Sequence, residues 1–259
     1  MKPRQNALKS NLIRFFTDSP DEELTMDDIC SKFGCTEMQC QGHATEDQFR
    51  AEDQVAQDSC CKSGSGGQVT VAVLFARADS HYKALPGVDV WDEARDARRW
   101  PGGTPLVAHP PCRLWAKLRQ FAKARDPVME RQLAIDAVRR VQRFGGVLEH
   151  PAESTLWAHM GLPAPGRAPD DFGGWTAEIR QCDWGHKAEK LTWLYIVGCH
   201  PDDLPELPQR GEPTGVIKPQ RGVPRTLKIV TKAEREHTPP QLAVWLVALA
   251  RRCRTNVSC

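Results

Sequence analysis

From residue 69 onward the apolar positions fall into short blocks separated by Gly, Pro and charge. Val69–Phe75 (VTVAVLF) is continuously apolar and β-branched, the pattern of a strand covered on both faces in a parallel sheet. Val88–Val90 is a shorter block, and Leu106–Ala108 follows the Gly102-Gly103 turn. Between Pro127 and Phe144 the spacing changes to that of a helix, with Val128, Met129, Leu133, Ala137, Val138, Val141 and Phe144 in register and Gly145-Gly146 as the stop. Val147-Leu148 then begins another strand, which completes a βαβ unit. Leu191–Val197 predicts a further strand, and Pro240–Arg251 a closing helix whose apolar face includes Leu242, Trp245, Leu246 and Leu249. The fold class expected is α/β, an open, mostly parallel, Rossmann-like sheet with helices on both faces.

The first 58 residues read differently. Leu8, Leu12, Ile13 and Phe16 have helical spacing, Asp18-Ser-Pro-Asp21 breaks the helix, and Thr25 with Asp28 caps a second one that ends at Gly34. This sketches a small helical, helix-turn-helix-like unit at 1–58. A Gly/Ser linker follows at 59–68, and the α/β domain runs over 69–259. Charge divides along the same line: residues 1–68 carry 7 Lys and Arg against 12 Asp and Glu, and the remainder carries 28 against 21. An acidic helix-turn-helix meets phosphate unfavourably, whereas the positive excess of the larger unit suits a polyanionic partner. Cys30, Cys35, Cys40 and His43 depart from the paired Cys-x2-Cys spacing of zinc sites, so no metal is expected. The ten cysteines are scattered and no export signal precedes them, which predicts reduced thiols and a cytoplasmic protein. No apolar stretch approaches the length of a membrane span, so no membrane partner is expected.

In a parallel sheet, ligands gather outside the carboxyl ends of the strands. The predicted strand at 106–108 is followed by His109-Pro110-Pro111-Cys112-Arg113, where two prolines stiffen the loop that carries a thiol. The strand beginning at Val147 runs into Glu149-His150-Pro151. This pair resembles the Pro-Cys and Glu-Asn-Val loops of cytosine-C5 DNA methyltransferases, with AHPPC closest to small phage-encoded members. Gln181-Cys-Asp-Trp-Gly185 with Lys187, Lys190 and Thr192 is similar to their Gly-then-Lys-x-Thr segment, and Thr238-Pro239-Pro240 to the start of their last helix. The matches occur in family order over about two thirds of the chain.

The resemblance implies a methyltransferase-like α/β domain acting on cytosine in DNA, or on a pyrimidine nucleotide, with S-adenosylmethionine as cofactor. Cys112 would be the thiolate that adds to carbon 6 and Glu149 the acid that protonates the ring nitrogen. Arg113 would lower the thiol pKa or hold phosphate, and Lys190 would hold phosphate. His109, His150, Lys187 and Thr192 would complete the substrate side. The cofactor side would fall to Phe75, Asp79, Ser80 and Asp92, although the Phe-x-Gly-x-Gly loop of the family reads Phe75-Ala-Arg77-Ala-Asp79 here, without glycine. Two other readings fit the same residues. One is a different pyrimidine enzyme that adds to carbon 6, and the other is a non-methylating DNA-binding or regulatory protein on this scaffold.

Overall fold

The block after residue 70 forms β1 (Val71–Ala76), followed by β2 (Val88–Asp92), β3 (Leu106–Ala108), α1 (Pro127–Phe144), β4 (Gly146–Pro151), α2 (Thr155–Met160), β5 (Trp175–Arg180) and β6 (Leu191–Val197). Two-residue strands β7 (Gly215–Val216) and β8 (Lys228–Ile229) precede α3 (Lys232–Glu236) and α4 (Pro240–Arg252). The computed structural model describes residues 70–254 apart from 118 and 219–226. The helices, linker and cysteine cluster expected before Val69 lie outside the described residues.

Six strands pair in the order β2-β1-β3-β4-β6-β5. β2, β1, β3 and β4 run parallel, and β6 runs antiparallel to both β4 and β5. The sheet is therefore mostly parallel, with one reversed strand between β4 and β5. Side chains alternate between its faces, as the period of two requires. Val71, Val73, Val107, Val147, Leu194 and Ile196 pack with Leu242, Leu246 and Leu249 of α4. Ala72, Leu74, Leu106, Ala108 and Leu148 pack with Val138, Val141 and Phe144 of α1 on the other face. Both faces of the central strands are thus dry, which explains why their sequences are continuously apolar instead of alternating.

The step from α1 into β4 depends on glycine. Gly146 has φ 127°, and a Cβ there would stand 2.0 Å from the Leu106 carbonyl oxygen and 2.6 Å from the Leu106 nitrogen. Backbone cannot move aside as a flexible side-chain end can. Gly146→Ala should therefore lower stability by roughly 3 kcal/mol or more, the range for forced backbone strain plus a core clash, read as a lower urea midpoint.

The chain leaves β1 outward to β2 and then crosses back to β3 on the other side of β1. That reversal opens a crevice at the carboxyl ends of β1 and β3. Two more strand ends join this edge. β5 is parallel to β4, so Gln181 follows its carboxyl end there. β6 runs the other way, with Thr192 paired to Pro151, and so brings Lys190 and Thr192 to the same side.

Candidate functional site

His109 is the first residue beyond β3, its amide still donating to the Leu74 carbonyl at 3.0 Å, and Glu149 occupies the adjacent position on β4 after the Ala108–Leu148 pair. Parallel neighbours lie about 4.8 Å apart, so the imidazole and the carboxylate meet. His109 Nδ1 is 3.1 Å from Glu149 Oε2, with the two side chains only 12% and 13% exposed. Gln181 Nε2 donates to Glu149 Oε1 at 2.9 Å and to Thr192 Oγ1 at 3.0 Å, and Thr192 Oγ1 donates to the Lys190 carbonyl at 3.1 Å. Burial alone would raise the Glu149 pKa. The Lys190 ammonium and the hydrogen bond from His109 outweigh burial and hold it at about 2. Lys190 takes φ 43° at the mouth of β6, and no acid among the described residues pairs with it. Its charge acts on Glu149 and Cys112 without a direct ion pair, which leaves its hydrogen-bond donors able to meet an anionic ligand.

Cys112 sits half-buried in the Pro-Pro loop, and its carbonyl accepts from Trp115 and Ala116 at 3.0 and 2.9 Å, closing a turn directly after the thiol. The far end of that turn is gripped by α2: Thr155 donates to the Trp115 carbonyl through its amide and its hydroxyl, each at 3.0 Å. Burial pushes the thiol up to about 11, the Glu149 charge adds to this, and Lys190 opposes it. Cys112, Glu149 and Lys190 thus act on one another electrostatically at one edge of the sheet. Arg113 does not leave the thiol acidic as expected: its guanidinium donates to Glu130 on α1 at 2.6 Å, and the thiol stays raised. Lys187 is paired with Glu234 of α3.

His150 belongs to the opposite face of β4. It is wholly buried near Trp157, its Nδ1 is 2.8 Å from Ser154 Oγ, and its Nε2 lacks a hydrogen bond of good geometry. Burial lowers its pKa to about 4 from an ordinary 6.5. A histidine with a depressed folded pKa supports the fold fully above 6.5 and withdraws that support as pH falls toward 4. Wild-type protein should therefore lose about 2 kcal/mol between pH 7 and pH 5 from this group, and His150→Asn should lose correspondingly less, as measured by urea denaturation at both values. The depressed Glu149 carboxyl contributes lower down, its support being present above 4.5 and lost toward 2.

Three of the four residues expected to seat S-adenosylmethionine are engaged within the chain. Asp79 pairs with Arg77 at 2.9 Å, and Arg77 also reaches Glu236 of α3 at 3.5 Å. Ser80 caps the 3-10 turn His81–Ala84 by accepting from the Tyr82 amide at 3.4 Å. Asp92 binds Lys83 at 2.7 Å and accepts from the Arg95 amide at 3.2 Å. Phe75 makes its turn at φ 61° while carrying a full side chain, where glycine would let a ligand approach the backbone. Asp79, Ser80 and Asp92 thus have partners within the chain, and the loop lacks the glycine that the resemblance calls for.

Tyr82, Gln181, Ser154 and Glu130 had no place among the expected site residues. Gln181 was inside a quoted motif. Tyr82 carries no sequence signal, because its role depends on the crossover that returns the turn after β1 to His109. No helix among the described residues is long and apolar enough to cross a membrane. Comparison with family models, with known proteins and with solved structures finds no match to this chain.

Proposed function

We propose that the chain modifies a pyrimidine base in DNA by adding the Cys112 sulfur to carbon 6, the step on which the resemblance to cytosine-C5 methyltransferases turns. The observation that carries this reading is a thiol on the loop after β3, an anionic carboxylate on the neighbouring parallel strand β4 and a lysine before β6, which act on one another electrostatically at one edge of the sheet. Cys112 is protonated and Glu149 ionised at neutral pH, so the resting pair is a weak nucleophile beside a weakly basic carboxylate, which can carry the thiol proton only in passing on its way to the base. As the S–C6 bond forms, the thiol proton passes to Glu149. The C5=C6 electron pair moves to form a C4=C5 bond, the C4=N3 pair moves onto N3, and N3 takes the proton from Glu149. The sequence is neutral overall and leaves carbon 5 enamine-like, and its reversal restores all groups. Lys190 suits a phosphate beside the reacting base.

Engagement of Asp79, Ser80 and Asp92 favours, as a second reading, a carbon-6 addition that does not draw on S-adenosylmethionine. A duplex with 5-azacytosine at varied positions tests both. The ring nitrogen at position 5 makes carbon 6 more electrophilic and removes the C5–H, so an adduct of the full chain, seen by intact mass, is the expected result. Formation at the same rate without S-adenosylmethionine supports the second reading. No adduct in duplex, single strand or free nucleoside removes the proposal.

A further inference from the structure

The carboxylate of Glu149 ends a buried chain of donors that starts on another element. Tyr82, 1% exposed on the turn His81–Ala84, has its hydroxyl 2.9 Å from His109 Nε2, and the two rings lie 5.5 Å apart. His109 Nδ1 then meets Glu149 Oε2 at 3.1 Å. Donor and acceptor roles along this chain follow from its ends. An ionised carboxylate only accepts, so Nδ1 must carry the ring proton. A buried phenol must place its O–H on a partner, and His109 Nε2 is the one within reach among the described residues. The order is therefore Tyr82 O–H to Nε2, and Nδ1–H to Glu149. Burial, with the nearby Glu149 charge, raises the Tyr82 pKa well above the ordinary phenol value, which keeps it a donor.

We infer that Tyr82 is a positioning residue for the carbon-6 addition: by fixing the tautomer of His109 it keeps a hydrogen-bond donor on Glu149, so that the carboxylate is ionised and oriented when the Cys112 proton arrives. The inference rests on the addition chemistry proposed above. Without the phenol, the imidazole can move its proton to Nε2, and Nδ1 then presents a lone pair to a carboxylate oxygen. Glu149 would answer by taking up a proton at higher pH. The other groups acting on it are Lys190 before β6, Cys112 on the nucleophile loop, His150 on its own strand and His186 after β5. Among the described residues His109 is the hydrogen-bond partner of Oε2, and Gln181 occupies the other oxygen.

The test uses the full chain and the 5-azacytosine duplex. In wild-type protein, 15N NMR of the imidazoles should show His109 protonated at Nδ1 and bare at Nε2. Tyr82→Phe, which keeps the ring and removes only the hydroxyl, should shift that pattern toward Nε2–H. It should also slow adduct formation by about tenfold at neutral pH, a modest part of what general acid–base groups contribute, and move the acid limb of the pH–rate profile upward. In a His109→Asn background the amide donates to Glu149 with no tautomer to choose, so Tyr82→Phe should add nothing. A merely structural tyrosine would leave profile and tautomer alone. An Nε2–H His109 in adduct-forming wild-type protein overturns the positioning role alone, as does a Tyr82→Phe variant with unchanged rate and profile. The expected tautomer in a wild-type chain that forms no adduct removes the addition chemistry, and the positioning role with it.

Discussion

Replacing Cys112 with alanine is expected to abolish covalent capture of a pyrimidine while changing DNA affinity by less than about twofold, since phosphate contacts dominate that affinity and the thiol makes none. No second thiol can substitute among the described residues, because Cys182, Cys199 and Cys253 are buried. Intact mass after incubation with the 5-azacytosine duplex reads the first effect, and a salt-titrated binding curve reads the second. An adduct that survives in Cys112→Ala would move the chemistry elsewhere. A joint loss of adduct and affinity would make the loop a binding element. The state of the thiol adds a kinetic signature. With the thiol at about 11 and Glu149 at about 2, the ionisation of the pair is constant between these values. Adduct formation should accordingly be flat over that range, whereas alkylation by iodoacetamide, which has no ring nitrogen to take the proton on from Glu149, should rise with pH toward 11.

The central layers were legible because continuous apolar runs and one strong helical period leave little choice. Leu106–Ala108, Pro127–Phe144 and Leu191–Val197 form with the bounds their patterns predict. β5 was not anticipated. Trp175, Ala177 and Ile179 share the face packed with α4, but Thr176 on the other face is buried as well, hydrogen-bonded to Trp157, so the alternation is broken in one short edge strand within a Pro- and Gly-rich stretch. α2 has a similar explanation, since six residues starting at a Ser154 cap are too few for a period to show. The reversal of β6 is a topological choice that no local pattern encodes.

At the site, legibility followed the strand-end rule. Cys112 and Glu149 could be paired from sequence because each directly follows or ends an apolar block, and adjacent parallel strands bring such positions together. What the rule could not reveal was protonation. Arg113, beside the thiol in sequence, looked like its activator, yet it reaches Glu130 across the start of α1. Glu149 looked like an acid, and its donors make it a resting base. Both differences arise from partners far along the chain, 17 residues away for Arg113 and 40 and 32 for Glu149.

That inversion sets the behaviour expected of Glu149→Gln. Glutamine can still accept from Gln181 or His109 and can still hydrogen-bond a pyrimidine, but it cannot take the Cys112 proton or pass one to N3. Adduct formation at neutral pH should fall by about 10²-fold or more, the range for a lost general acid–base group. The pH profile should also change form. Wild-type protein presents thiol and base together and is flat, whereas the variant must wait for free thiolate and should rise about tenfold per pH unit below the thiol pKa. That pKa should itself lie lower than in wild type, because the Glu149 charge is one of the causes that raise it. The variant also loses the stability that the depressed carboxyl supplies above 4.5, so its urea midpoint should approach wild type as pH falls toward 2. Convergent midpoints show that the substitution removed the ionised carboxylate from an otherwise native fold. A flat rate profile in such a protein, parallel to wild type, would mean that another group receives the thiol proton, and Glu149 would then have no part in the addition.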